Sequence, residues 1–270
     1  MLRIAIQSKG RLYEESMALL ELVPARNFPV EVLFLRDDDI PESVASGVAD
    51  VGIVGLNEVM EKRCPVGILK KLGFGKCRLS LAIPQDIDYQ DRNWFSGKKI
   101  ATSYPGILSD YLHKNGIVSD IHVITGSVEI APGIRLADAI FDIVSSGSTL
   151  VSNRLKEVET VVESEAVLIG TDSISPEKRG ILDELLFRFD SVQAADDKKY
   201  ILMNVPQKKL NDVLSVLPGI KSPTVMPLAD KEWCSVHTVL DEKCFWEIIN
   251  RLKTAGAEGI LVLDIEKMIL

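Results

Sequence analysis

The stretch "ADVGIVGLNEVMEK", residues 49–62, decides the fold of this chain. It runs from an apolar segment of strand length, through a turn that contains glycine, into a segment with helical spacing. The same order occurs in "LRIAIQSKGRLYEESMALLEL" (2–22), and "VEVLFLR" (30–36) is a further strand that leads into a helix start. Strands that are nearly all apolar and alternate with helices are typical of a helix-covered parallel sheet. The sequence therefore predicts an α/β domain with a parallel sheet.

The composition is that of an ordinary soluble globular protein, with 46% hydrophobic and 26% charged residues. The net charge of −8 argues against a surface that binds nucleic acid or an anionic membrane, because both need a basic field. The N-terminus lacks the long apolar region of a signal peptide, and no apolar run has the length of a membrane span. We therefore expect a cytoplasmic protein that holds any anionic ligand by N–H groups and a few local cations.

Changes in composition divide the chain into three predicted parts. The first pattern continues to residue 83, where a polar, turn-rich segment leads into another series of strands and helices. We assign residues 1–83 and 166–195 to a first lobe, and residues 84–165 to a second lobe. From residue 196 to residue 270 the order β-α-β-β-α-β predicts a separate ferredoxin-like α+β domain.

The stretch "FDIVSSGSTLVSN", residues 141–153, places hydroxyl groups and a glycine between a predicted strand and a helix. By composition alone a capped turn is slightly favoured over a phosphate-binding loop, although N–H groups after a parallel strand form an anion site. The order D-x-V-x-S-G-x-T-L is more specific, because it resembles the 5-phosphoribose loop of phosphoribosyltransferases. In that loop Asp142 would hold the ribose diol. The 5-phosphate would be wrapped by Ser145, Ser146, Gly147, Ser148, Thr149 and Leu150.

Three other places offer candidate ligand contacts. Lys9, Gly10 and Arg11 follow the first strand, where they either suit a pyrophosphate or form a solvated turn. Arg78 stands at a strand start, where a charge needs a partner, so it is either a paired structural arginine or a ligand contact. Glu129, between apolar residues in "GSVEIAP", is either paired or functional.

Common metal and nucleotide frameworks are missing from the sequence. It contains neither G-x-x-x-x-G-K-[ST] nor G-x-G-x-x-G, and its four cysteines show no CxxC spacing. The acidic run Asp37–Asp39 is better explained by a helix start, with Asp39 as the N-cap, than by a metal site. A nucleotide that binds here would do so outside those two frameworks.

Several motifs together resemble the ATP phosphoribosyltransferase family, in the long form that carries a C-terminal regulatory domain. They occur in order over nearly the whole chain: "QSKGRL", "LRDDDIPESVASGVADVGIVG", "GFGKCRLSLA", "GKKIATSYP", "TGSVEIAPG", "LADAIFDIVSSGSTL", "SPTVMPLAD" and "AGAEGILVLDIEKM". The resemblance implies that N1 of ATP attacks phosphoribosyl pyrophosphate in the presence of Mg²⁺, the first reaction of histidine biosynthesis. It also implies a two-lobed catalytic region like that of periplasmic binding proteins, an ACT-like regulatory domain, a homo-hexamer and feedback inhibition by histidine.

The resemblance also implies roles for particular residues. Lys9, Arg11 and Asp142 would serve catalysis, with Gly10, Arg78 and Glu129 as further substrate contacts. Histidine would bind in the C-terminal domain at Ile220, Thr224, Val239 and Gly259. The sequence departs from the family in one place, because only "VPAR" (23–26) follows the first helix where the family carries a longer connection. The family's contacts from that connection are therefore not carried over.

Two other functions fit parts of the pattern. One is an amino-acid-sensing binding protein with two lobes and a sensor domain, against which the S-S-G-S-T loop and the lack of a signal peptide both count. The other is a phosphoribosyltransferase that acts on a different base. Release of pyrophosphate on mixing with ATP and phosphoribosyl pyrophosphate separates these functions.

Overall fold

The structure is a computed structural model that describes residues 1–22, 28–218 and 223–269. The connection at residues 23–26 and the predicted histidine contact at residue 220 lie outside this range. The chain forms two compact units, residues 1–184 and 185–270. The second unit starts earlier than the predicted residue 196, within a helix that runs from Pro176 to Ala195.

The secondary structure of the described residues alternates strands and helices along most of the chain. The strands are β1 (Leu2–Gln7), β2 (Val30–Leu35), β3 (Val51–Gly55), β4 (Gly67–Lys71), β5 (Cys77–Pro84), β6 (Lys99–Thr102), β7 (Asp120–Val123), β8 (Ala139–Val144), β9 (Leu155–Ser164), β10 (Ala166–Gly170), β11 (Lys198–Pro206), β12 (Thr224–Pro227), β13 (Trp233–Asp241) and β14 (Glu258–Asp264). The helices are α1 (Arg11–Leu22), α2 (Ile40–Ala45), α3 (Leu56–Lys62), α4 (Pro105–Lys114), α5 (Ser148–Ser152), α6 (Pro176–Ala195), α7 (Leu210–Val216) and α8 (Glu242–Ala255).

Lobe I is built on a five-stranded sheet with the order β2-β1-β3-β10-β4. Strand β1 pairs in parallel with β2 and β3, as the alternating pattern predicts. Strand β10 is antiparallel to both of its neighbours, so the sheet is mixed rather than parallel. The strands are apolar because both faces are covered, and β1, β3 and β10 are almost wholly buried.

Lobe II is built on a second five-stranded sheet with the order β7-β6-β8-β5-β9. Here β6 pairs in parallel with β7 and β8, and β5 pairs antiparallel with β8 and β9. Strand β5 therefore belongs to lobe II, whereas the predicted boundary at residue 83 assigned it to the first lobe. The crossing into lobe II lies before Cys77, and the return crossing lies between β9 and β10, at the predicted boundary of 165 and 166.

The second unit carries a four-stranded sheet with the order β12-β13-β11-β14. All its pairings are antiparallel, and its element order is β-α-β-β-α-β, as expected for a ferredoxin-like domain. Its core includes Met203, Val236, Phe245 and Leu252. The predicted fold class, α/β lobes followed by an α+β domain, is confirmed.

The start of α2 differs from the prediction. Asp39 occupies the N-cap position, but its side chain makes no capping hydrogen bond. A 3-10 turn over Asp37–Asp39 leads directly into the helix, and Asp39 already has right-handed helical dihedrals. An N-cap side chain reaches the first-turn amides from an extended backbone, so this conformation removes the cap.

No helix among the described residues has the length and hydropathy needed to cross a membrane.

The buried glycine of β3 provides a test of lobe I packing. A Cβ at Gly52 would lie 2.5 Å from Ile40 Cγ2 and 3.1 Å from Val44 Cγ2, both buried side chains of α2. We expect Gly52→Ala to destabilise the fold by about 1–3 kcal/mol through overpacking. Gly180→Ala in helix α6, where the new Cβ meets nothing within 4 Å, is the matched control and should be neutral or slightly stabilising. Urea unfolding of both variants measures the difference, and equal midpoints would contradict the packing argument.

Candidate active site

A cavity of about 250 Å³ lies between the two lobes. Gln7, Arg11 and Glu58 line it on the lobe I side, and Ile143, Ser145 and Cys77 line it from lobe II. The crossing segment contributes Gly75 and Lys76. Strands β1, β2 and β3 run parallel to one another in lobe I, as do β6 and β8 in lobe II. The carboxyl ends of β1, β3 and β8 lead into these wall residues, which is where open α/β sheets bind ligands.

The predicted cationic turn and the predicted phosphate loop meet across this cavity. Arg11 starts α1 in lobe I, and its Nη1 donates to Ser145 Oγ of lobe II at 3.2 Å. Its Nε bonds Glu15 at 3.3 Å, which aims the guanidinium along the first turn of the helix. Gly10 has φ of +96°, the left-handed conformation that glycine permits, so the chain can turn sharply from β1 into α1. Lys9 lies exposed in the same turn but outside the cavity wall.

Arg78 anchors the start of the loop. Its Nε and Nη2 donate to the two carboxylate oxygens of Glu157 on β9, each at 2.5 Å, and its Nη1 donates to the backbone carbonyl of Ser145 at 3.1 Å. Hydrogen bonds from Arg78, together with one from Ser80, hold the pKa of Glu157 at about 2 despite its partial burial. This geometry favours the structural alternative for Arg78. Its guanidinium also lines a second cavity of about 460 Å³ that shares Lys76, Cys77 and Ser145 with the first.

The loop itself presents hydroxyls and amides to solvent. Gly147 has φ of +80°, and α5 begins directly after it, so the first-turn amides of α5 have no partner within the helix. Ser145, Ser146, Ser148 and Thr149 are exposed, and the hydroxyls of Ser146 and Ser148 lie 3.0 Å apart. Leu150 differs from the others, because its side chain is buried in the core of lobe II. Leu150 can therefore offer a phosphate its backbone amide but not its side chain.

Asp142 and Glu129 place two carboxylates near each other beside the loop. Asp142 lies on β8, and its Oδ1 accepts a hydrogen bond from the backbone amide of Ile143 at 2.8 Å. Burial raises the pKa of Asp142 to about 6, and the negative charge of Glu129, in the turn Val128–Ile130, adds to the rise. The protein offers this acid no cation among the described residues. A cationic or hydroxyl-bearing ligand would therefore relieve an unfavourable charge.

The sequence analysis missed part of the lobe I wall. Asp37 follows β2, Asn57 and Glu58 follow β3, and all three line the cavity. Arg36 stands beside Asp37 with an exposed guanidinium whose Nε bonds Asp38 at 3.2 Å. The signal that could have found them is their position, since each comes directly after the carboxyl end of a strand next to β1 in the parallel part of the sheet.

The three described candidates for histidine binding lie on different strands of the second unit. Thr224 starts the edge strand β12, Val239 lies on β13, and Gly259, with φ of +54°, lies on the opposite edge strand β14. Two strands separate β12 from β14, so Thr224 and Gly259 stand about 14 Å apart across the sheet. One histidine could contact both residues only if a second copy of the domain contributed one of them.

Two family models of known proteins match this chain. The family model described as ATP phosphoribosyltransferase matches residues 36–191, and the one described as HisG, C-terminal domain matches residues 195–267. A relative from Bacteroides fragilis named ATP phosphoribosyltransferase is 68% identical over 283 residues, with all of both chains covered.

Two solved structures match the fold. An ATP phosphoribosyl transferase (HisG:HisZ) complex from Thermotoga maritima is 27% identical with a TM-score of 0.62, and the match covers 70% of this chain and 96% of that chain. The substrate binding protein of an amino acid ABC transporter has a TM-score of 0.52 at 11% identity, covers 72% and 93% of the two chains, and shares the two-lobed fold alone. Together with the matches over both units, these findings show that the chain belongs to the ATP phosphoribosyltransferase family, in the form that carries the HisG C-terminal domain.

Proposed function

We propose that this enzyme transfers the 5-phosphoribosyl group of phosphoribosyl pyrophosphate to N1 of ATP, giving phosphoribosyl-ATP and pyrophosphate. The observation that carries the proposal is the contact of Arg11 with Ser145, which joins a cation of lobe I to the hydroxyl-rich loop of lobe II across one cavity. Mixing the protein with both substrates should release pyrophosphate, and omission of either substrate should abolish the release. No release with ATP, but release with another base, would refute the proposal.

Neutral, acidic and cationic groups of the site bind different parts of the substrate. The hydroxyls and amides of residues 145–150 bind the 5-phosphate, and Asp142 accepts hydrogen bonds from the ribose diol. Arg11, with Lys9 beside it, neutralises charge on the departing pyrophosphate. Displacement of pyrophosphate passes through an oxocarbenium-like state, so positioning and neutralisation of charge supply most of the rate. Adenine N1 is unprotonated at neutral pH, so no general base is required.

Mg²⁺ is proposed to enter with the pyrophosphate. The described residues include no group of three or more Asp, Glu, His or Cys side chains arranged to hold a metal ion. Mg²⁺ commonly binds through substrate phosphates and only one or two carboxylates, a role that Asp142 and Glu129 can fill because each raises the local negative charge. When bound, Mg²⁺ would share the negative charge of the leaving group.

The second unit is proposed to bind histidine as a feedback inhibitor of this first step of histidine biosynthesis. The resemblance supports this role, together with a homo-hexamer and a cytoplasmic location. The separation of Thr224 from Gly259 in one chain supports a site shared between copies, which only an oligomer can provide. Val239 lies between them on β13, and we propose that it forms the apolar wall of the site.

Asp142→Asn should separate binding from stability. The amide keeps an acceptor for Ile143 N–H but removes the charge, so affinity for phosphoribosyl pyrophosphate should fall by about 10- to 100-fold. The pKa of Asp142 is about 6 in the fold against 3.8 ordinarily, so its ionisation costs stability progressively as pH rises from about 3.8 to about 6, and the full cost applies at neutral pH. The variant should therefore melt higher than the wild type at neutral pH.

The pH dependence of both effects provides the control for this prediction. Below the ordinary pKa of 3.8 the wild-type carboxyl is neutral in both states, so the difference in melting temperature should vanish there. The ratio of wild-type to variant kcat/KM should narrow as pH falls through about 6, which separates Asp142 from substrate phosphate titrating in the same range. A constant ratio from pH 5 to pH 8 would show that Asp142 does not bind the substrate.

Arg11→Ala should lower kcat/KM by at least about tenfold, because a charge-assisted contact to phosphate is lost. The side chain is 63% exposed, so the melting temperature should stay nearly constant. Arg11→Lys should restore only part of the activity, since an ammonium cannot form the two-pronged contact. Arg92→Ala, which removes an exposed lobe II arginine bonded to Asn115, is the control. Turnover of Arg11→Ala within about twofold of the wild type would exclude the proposed role of Arg11 in neutralising the pyrophosphate.

Thr224→Ala should weaken inhibition by histidine in the full-length protein by about tenfold, because one hydroxyl contact is lost. Steady-state rates at increasing histidine concentration measure the effect, and basal turnover should be unchanged. Thr254→Ala, on an exposed face of α8, is the matched control and should leave inhibition unaltered. Full inhibition of the Thr224→Ala variant would place the site elsewhere.

A further inference from the structure

The N-terminus of helix α4 in lobe II is capped by a side chain from lobe I. Glu61, on α3, accepts hydrogen bonds from the backbone amides of Gly106 at 2.8 Å and Ile107 at 2.9 Å, one to each carboxylate oxygen. These are first-turn amides with no partner inside α4, and the positive end of the helix dipole favours a carboxylate there. Helices are usually capped by a residue at their own start, whereas here the cap crosses between lobes.

A second contact between the same helices lies beside the cap. Arg63, directly after α3, donates from Nη2 to Asp110 Oδ2 at 2.7 Å and to the Gly106 carbonyl at 3.1 Å. The side chains of Arg63 and Asp110 are 57% and 71% exposed, so water and salt screen this ion pair. The cap by Glu61 is therefore the stronger of the two contacts.

A third contact lies where α3 and α4 meet the cavity. The Tyr104 hydroxyl of lobe II donates to Glu58 Oε1 at 2.9 Å, and Asn57 Nδ2 donates to the Tyr104 oxygen at 3.2 Å. All three side chains are buried, and burial raises the pKa of Glu58. Asn57 and Glu58 line the cavity, so the contacts between α3 and α4 form part of its closed wall.

The contacts between α3 and α4 lie at different distances from the crossing segments, so a rotation of one lobe would separate their partners by different amounts. The amide of Leu56, at the start of α3, donates to the carbonyl of Glu165 in the return crossing at 3.0 Å. Arg63 lies about 10 Å farther along the helix direction, at 1.5 Å per residue. Rotation of one lobe about the crossings would therefore separate Glu61 from α4 by more than it separates Asn57 from Tyr104. Water can replace the polar partners that such a rotation separates.

We propose that the contact between α3 and α4 is a latch that holds the two lobes in the substrate-binding arrangement, with Glu61 as its main positioning residue. Glu61 does not line the cavity, so its side chain acts on the reaction through closure alone. When a protein must close before it binds, its apparent affinity is the affinity of the closed form multiplied by the fraction of closed molecules. Saturating substrate restores the closed state, so loss of the latch raises KM and spares kcat.

The test compares Glu61→Ala and Glu61→Gln with Asp110→Asn, all in the full-length chain. Glu61→Ala should raise KM for phosphoribosyl pyrophosphate about fivefold or more, which is ~1 kcal/mol, while kcat stays within about twofold. Glu61→Gln keeps one carbonyl acceptor and should show a smaller rise, and Asp110→Asn the smallest. Asp120→Asn is the matched control, because Asp120 has 69% side-chain exposure in the same lobe and pairs only within it. An unchanged KM, or a fall in kcat and melting temperature without a rise in KM, would overturn the latch.

Amide hydrogen exchange without substrate decides the question independently of the proposed reaction. In Glu61→Ala the latch predicts faster exchange at Gly106 and Ile107, and also at residues 55–58 beside the cavity, whereas the hydrogen bonds of the Glu61 side chain go to Gly106 and Ile107. Faster exchange at Gly106 and Ile107 alone would make Glu61 a local helix cap and refute the latch. If the wild-type protein failed to release pyrophosphate, the reaction would be refuted while this measurement still tested the latch.

Discussion

Two neighbouring crossings of the chain, at residues 72–76 and at residue 165, are the constraint on which the catalytic unit depends. They lie side by side, since the amide of Leu72 bonds the carbonyl of Ala166, and the amide of Ala166 bonds the carbonyl of Phe74, each at 2.9 Å. Two adjacent connections allow the lobes to rotate about one line while the carboxyl ends of both sheets keep facing each other. Gly75, with φ of +62° and Leu12 only 3.0 Å from where its Cβ would stand, lets the first crossing turn against α1.

The lobes bring complementary chemistry to this line. Lobe I supplies a cation at the start of α1 and the buried acid Glu58 after β3, and lobe II supplies the hydroxyl-rich loop after β8. The loop is anchored from below by Arg78, whose three hydrogen bonds occupy its guanidinium with Glu157 and a loop carbonyl. The hydroxyls of the loop remain exposed on the other side, and the first-turn amides of α5 have no partner within that helix. A preorganised anion site requires a backbone that is held in place and amide groups that face the ligand.

Local sequence patterns predicted the elements well, because apolar periodicity and glycine turns are local properties. They did not assign β5 to its sheet, since its partners β8 and β9 lie far along the chain and its apolar run fits either lobe. The antiparallel insertion of β10 into lobe I was missed for the same reason. In the candidate site, the order of residues around Asp142 pointed to the loop, and the turn after β1 pointed to Arg11. Asn57, Glu58 and Glu61 were missed because their roles arise from contacts between lobes, which no local pattern records.

Strands β8 and β9, which lie on either side of β5 in lobe II, carry acids whose pKa values are displaced in opposite directions. Glu157 on β9, with a pKa of about 2, stays ionised and hydrogen-bonded to Arg78 at mildly acidic pH. Asp142 on β8, with a pKa of about 6, becomes neutral in the same medium. A transient fall in pH to about 5 would thus neutralise Asp142, the proposed ribose-binding group, while Glu157 and Arg78 under the loop stay paired. Recovery on neutralisation would need only loss of a proton from one carboxyl group, with no refolding of the lobe.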